Sequence, residues 1–215
     1  GGKAIAGVLT GKVNPSGRLP ITFPAAVEQL PNPELPGSRL PRMDATGNAQ
    51  PEPFAATYPE GADIGYRWYG KQGHAPLFAF GHGLSYTRFE HGGLSFDPAR
   101  LEARFTVANT GARAGIDTPQ LYLARADGSR RLLGWARAEL RPGQRRAYRV
   151  TLDPRMLGRF DTARQDWQVP AGDYRLVLAA SATAPGAELT VRLPEARYAV
   201  DWRPAQGTAM AGRAD

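Results

Sequence analysis

The chain contains no cysteine, which excludes disulfides, thiolate metal sites and cysteine nucleophiles. It has three histidines, His74, His82 and His91, and none is spaced as HxH or HExxH, so no metal-ligand pattern is present. Lysine is nearly absent. With only Lys3, Lys12 and Lys71, the net charge of +7 is carried by arginine. The arginines are scattered through apolar, strand-like runs, and Arg130-Arg131 and Arg145-Arg146 are the only doublets. That is the pattern of a solvated surface, so no nucleic-acid partner is expected. No run of eighteen apolar residues exists, and no transmembrane helix is expected. The segment Gly1–Leu9 is too short and wrongly flanked for a signal peptide. It opens inside a helix-like pattern without an initiator methionine, and is expected to be a cut end.

What the chain does have is turns and aromatics. Its 215 residues include 25 glycines and 19 prolines, which points to many short connections rather than a helical bundle. An apolar fraction of 42% is enough to build a core. The densest stretch is Pro76 to Phe89, which frames His82 between Gly81 and Gly83 and surrounds it with Phe78, Phe80, Tyr86 and Phe89. It is expected to be an aromatic anchor around a glycine bend. His82 is expected to be a hydrogen-bonded structural histidine there. His74 and His91 fall in glycine-containing loops.

The first 24 residues predict one unit. Ala4 to Leu9 have helical spacing, Gly11 suits a C-terminal cap, Asn14-Pro15-Ser16-Gly17 is a turn, and Leu19, Ile21 and Phe23 alternate as a short strand between prolines. Residues 25–57, rich in Pro, Ala, Asn and Glu, are expected to be a long extended surface connection. Tyr58 to Tyr69 follow, with Glu60, Asp63 and Arg67 among four aromatics. From about Gly93 the texture becomes alternating. Strands are expected around Leu101–Val107, Pro119–Leu123, Leu132–Leu140, Tyr148–Leu152, Trp167–Val169, Tyr174–Leu178 and Leu189–Leu193, each closed by a turn. Roughly seven short strands over about a hundred residues predict an immunoglobulin-like sandwich. The tail after Trp202 has no apolar pattern and is expected to fray.

Several of these motifs resemble glycoside hydrolase family 3, the β-glucosidase and β-xylosidase type enzymes. They are Asn14 to Pro24, Tyr58 to Arg67 with its Tyr-x-Glu-Gly core, the bend at Phe78–Thr87, and then Asn109-Thr110-Gly111, Gln120-Leu121-Tyr122, Leu133-Gly134-Trp135, Leu140 to Gly143 and Trp167 to Tyr174. They occur in the family's order. One departure is Ala179-Ala180-Ser181, where the family often has a glycine before a serine pair. The resemblance implies a mainly β chain: residues 1–24 as the C-terminal end of an α/β sandwich domain, 25–92 as a linker carrying the two motifs, 93–200 as a fibronectin-III-like β-sandwich, and 201–215 as a tail. It also implies a periplasmic or secreted parent enzyme acting on terminal non-reducing β-glycosides. The partners it implies are the rest of that parent chain, an upstream barrel and α/β domain, and the carbohydrate substrate.

Retaining glycoside hydrolysis needs two carboxyl groups about 5 Å apart. The family's nucleophile and acid/base motifs are not found in this sequence, so no catalytic, cofactor or metal residue is assigned and the chain alone is expected to be inactive. Glu60 is the sharpest local carboxylate, with Asp63 weaker. Glu60 is expected to pair with Arg67 or to accept backbone hydrogen bonds in its glycine turn. Trp135 and Trp167 are expected in the core, with an exposed sugar platform as the alternative. The competing function is a stand-alone fibronectin-III-like module that binds carbohydrate or protein.

Overall fold

The computed structural model describes residues 1–34, 42–50, 55, 57–203 and 213–214. Its centre is an antiparallel sandwich of two four-stranded sheets. One sheet has the order β13 (Gly186–Leu193), β12 (Gly172–Ala179), β6 (Gln120–Ala124), β7 (Arg130–Trp135). The other has β15 (Arg213–Ala214), β9 (Arg145–Thr151), β4 (Glu102–Asn109), β3 (Phe89–Asp97). Two small sheets flank them, β5 (Gly115–Asp117) with β8 (Ala138–Leu140), and β10 (Arg159–Asp161), β11 (Asp166–Val169), β14 (Ala196–Ala199). A short hairpin, β1 (Arg42–Met43) with β2 (Ala49–Gln50), lies in the connection.

The core follows from period-two alternation. Ala103, Phe105 and Val107 on β4 face inward with Tyr148 and Val150 on β9, and Leu121, Leu123, Leu176 and Leu178 meet them from the other sheet. The Phe105 and Tyr148 rings stack at 6.2 Å.

Three strand expectations change. The run Leu132–Leu140 is two strands in two different sheets, β7 on β6 and β8 on β5. The alternation breaks at Leu133 and Gly134, which are both buried. A Cβ at Gly134 would collide with Val150 of the facing sheet, so the glycine permits the close approach at which the chain changes sheets. Strand β3 was hidden by Gly92-Gly93, where its register with β4 shifts at a bulge. The tail is not simply frayed: Arg213–Ala214 pair with Arg149 and Tyr148 of β9, while 204–212 and 215 lie outside the described residues.

Two short α-helices lie outside the sheets. Helix α1 (Gly2–Leu9) buries none of its residues, and Gly11 follows it with left-handed backbone. Helix α2 (Tyr66–Gln72) lies against β7 and buries Tyr69. The connection touches that helix at Gln29, whose carbonyl accepts from Trp68 Nε1 at 2.9 Å, and closes on itself where Asn32 Nδ2 donates to the Thr57 carbonyl at 2.6 Å. Parts of the connection, 35–41, 51–54 and 56, lie outside the described residues.

Candidate functional site

The bend at Pro76–Phe89 is where the first segment of the chain meets the rim of the sandwich. Its backbone runs beside the strand-like segment after the Asn14 turn. Leu19 N donates to the His82 carbonyl (2.9 Å), Gly81 N to that of Leu19 (2.8 Å), Phe23 N to that of Phe78 (2.8 Å) and Leu77 N to that of Phe23 (3.0 Å). Phe23 and Phe78 meet edge to face at 6.3 Å. The two glycines are needed for contact. Gly81 has φ +81°, and a Cβ there would overlap the Gln120 amide; one at Gly83 would overlap the Gly17 carbonyl.

Asn14 ties three segments together. Its amide donates to the Ala114 carbonyl (2.9 Å), and its oxygen accepts from Tyr86 N (2.8 Å) and Ser85 Oγ (3.1 Å). Tyr86 Oη donates back to the Val8 carbonyl (2.8 Å), and its ring carries the Arg113 guanidinium at 5.4 Å. Asn109, fully buried, donates to the carbonyls of Arg113 and Leu140 and accepts from Thr87 Oγ1 (2.6 Å). Gln120 donates to the Ala180 carbonyl (3.0 Å) and accepts from Tyr122 Oη.

Beneath the turn lies a buried ion cluster. Asp117 on β5 accepts from Arg18 Nη2 (2.8 Å) and from His91 Nε2 (2.5 Å). Burial alone would push the Asp117 carboxyl up, but the His91 hydrogen bond and then the Arg18 guanidinium together hold it below the usual carboxylate value. On the opposite side Tyr66 stacks on Phe80 at 4.7 Å, meets Tyr122 edge-on at 6.1 Å, and accepts the Leu132 amide (2.9 Å) that the bulge between β6 and β7 leaves free. The bend therefore covers one sheet while Asn14 and Arg18 hold the sandwich rim.

The carboxylates singled out in the sequence are placed differently from expectation. Arg67 pairs with Asp63 (2.7 Å), not with Glu60, and Lys71 takes the other Asp63 oxygen (3.0 Å). Asp63 lies just before α2, on which Arg67 and Lys71 are one turn apart and so both reach it. Burial pushes the Asp63 carboxyl up, and the Lys71 hydrogen bond with the Arg67 and Lys71 charges brings it below its ordinary value. Glu60 leaves Oε2 buried without a hydrogen bond. Both oxygens of Asp63 are committed to Arg67 and Lys71, and those of Asp117 to Arg18 and His91, which suits neither to nucleophilic attack.

His82 packs its ring against Phe78 (5.2 Å between centroids) and has no side-chain hydrogen bond among the described residues; the hydrogen-bonded histidine is His91, which sits in β3 and not in a loop. Among the described residues no three His, Asp or Glu side chains converge as a metal site. Trp167 is half-buried against Phe160, but Trp135 is 52% exposed at the end of β7 rather than in the core. Sequence patterns did not single out Asn14, Arg18, His91, Asn109 or Asp117 for these roles. Each is one polar residue whose partner lies 20 to 100 positions away, and no periodicity encodes such a pairing.

Comparison with known proteins agrees with this arrangement. Residues 1–86 match the glycosyl hydrolase family 3 C-terminal domain, and residues 117–182 match the fibronectin type III-like domain. Beta-glucosidase B of Emericella nidulans is 36% identical over 192 residues, spanning 84% of this chain and 22% of that protein. Thermostable beta-glucosidase B of Acetivibrio thermocellus is 35% identical, spanning 84% of this chain and 24% of that protein. Among solved structures, beta-glucosidase 3B from Thermotoga neapolitana in complex with glucose superposes with a TM-score of 0.78 at 31% identity, covering 92% of this chain and 27% of that one. The chain thus spans about a quarter of the length of the curated relatives it matches.

Proposed function

The chain belongs to glycosyl hydrolase family 3, and from that premise we propose that it is the supporting C-terminal portion of an enzyme that hydrolyses terminal, non-reducing β-glucoside-type bonds. The observation that carries this reading is the near-complete superposition of the chain on one quarter of a β-glucosidase. In the proposed division of labour both catalytic carboxyl groups lie on parts of such an enzyme outside this chain. The chemistry needs two carboxyl groups and water, and no cofactor. The committed state of Asp63 and Asp117 supports assigning no catalytic residue here.

The mechanical part of the proposal concerns exposed apolar side chains on helix α1 and around the bend. Ile5, Leu9, Ile21, Phe23, Leu77 and Phe78 are all exposed, Leu9 to 77%. Covering each would contribute about 1.5–3 kcal/mol, so these side chains are where the remaining α/β domain would dock. The bend then transmits that docking to the sandwich through Asn14, Gly81 and Arg18. The test is turnover. Residues 1–215 alone should leave an aryl β-glucoside uncleaved. Clear hydrolysis that disappears in Glu60→Gln would overturn the division of labour.

A further inference from the structure

We propose that the cleft beside Trp135 is a separate binding site for a neutral sugar, with the Trp135 indole as its stacking platform; the choice of sugar class rests on the β-glucoside reading above. Leu133 and Gly134 before Trp135 and Ala136 after it are buried, while the indole stands 52% exposed. Its N–H has no hydrogen-bond partner among the described residues. The indole stands at a cleft of about 300 Å³ whose apolar lining comes from Pro20, Phe80 and Leu132. That volume is at the lower end for small-molecule sites, which favour interfaces between structural units. This one exists only where the first segment and the bend meet the sandwich.

The polar rim selects the ligand. Arg18 lines the cleft, but its charge is matched by Asp117, and its other hydrogen bonds go to the Gly17 and Ser16 carbonyls. Gln120 is likewise saturated by Ala180 and Tyr122. The hydroxyl of half-buried Thr118 has no partner among the described residues and faces the same cleft. A charge-neutral site with an aromatic plate, an apolar floor, one free hydroxyl and one free indole N–H suits a ligand with an apolar C–H face and hydroxyl edges. A pyranose has that chemistry, and an anion does not.

Cellotriose and laminaritriose titrated into residues 1–215, followed by tryptophan fluorescence and calorimetry, provide the test. Saturable binding on the order of 1 mM is expected for at least one of them. Trp135→Ala should weaken it by about tenfold or more, Trp135→Phe should retain most of it, and Thr118→Val should weaken it a few-fold. Because the indole is exposed, Trp135→Ala should keep the wild-type circular dichroism and melting temperature. Absence of saturable binding, binding unchanged in Trp135→Ala, or tighter binding of the corresponding uronic acid would each overturn the site. So would a dimer in light scattering that Trp135→Ala dissolves, since a second copy would then be the occupant. Sugar binding depends on no turnover. A chain that binds cellotriose but itself cleaves an aryl β-glucoside would refute the supporting role and leave this site standing; the converse result would do the opposite.

Discussion

Replacing Asp117 by alanine should unfasten the first segment from the sandwich. The carboxylate is 4% exposed and the Arg18 side chain 13%, so the pair is screened little by water. Removing one partner of a buried pair costs about 3–5 kcal/mol, chiefly because the other charge is stranded. Arg18 keeps its bond to the Gly17 carbonyl at 3.1 Å, which places the expected loss near the lower end, about 3 kcal/mol. Urea unfolding at pH 7 measures it, and a double-mutant cycle with Arg18→Met should give a coupling of about 1–3 kcal/mol. The pH dependence has a definite sign. The folded-state pKa of Asp117 lies below its unfolded value, so the folded protein binds the proton less readily than the unfolded one. The Asp117 contribution is fully present above the unfolded value of about 4 and is lost as pH falls through the folded value beneath it. The deficit of Asp117→Ala should therefore shrink as the pH falls below about 4. A variant within about 0.5 kcal/mol of wild type, or a coupling energy of zero, would refute this account of the junction.

Gly81→Ala should destabilise the bend by about 2–4 kcal/mol, combining left-handed strain with overlap on Gln120; an unchanged unfolding midpoint would contradict the packing described. Tyr66→Phe removes the acceptor for the Leu132 amide while keeping the ring on Phe80, and should cost about 1 kcal/mol in denaturant unfolding. Phe105→Ala, at the centre of the sandwich, should cost about 3–5 kcal/mol and be visible as a large fall in melting temperature.

The sandwich was legible because burial imposes a period of two, which Ala103, Phe105 and Val107 or Leu176 and Leu178 display openly. Legibility failed where glycine replaces a side chain. Gly134 let one alternating run divide between two sheets, and Gly92-Gly93 hid β3. The bend was recognisable as an anchor from its aromatics, but its polar fastening was not. Asn14, Arg18, His91 and Asp117 act in pairs separated by up to 100 residues, and a single chain offers no local pattern for them. Trp135 was misjudged for a related reason: Leu133, Gly134 and Ala136 around it are all buried, and that run reads as core although the indole at its end is exposed.

Amide hydrogen exchange read along residues 1–215 tests the central claim most directly, because it asks whether the exposed face of the first segment has its partner inside this chain. An eight-residue helix with no buried residue is marginal by itself in water. The account predicts weak protection for Gly2–Leu9, intermediate protection for the Leu19, Phe23 and Gly81 amides, and strong protection for Ala103–Asn109 and Leu176–Ala179. Protection of Gly2–Leu9 as strong as that of the sandwich would contradict it, since the face held to await the rest of a β-glucosidase would then already be satisfied.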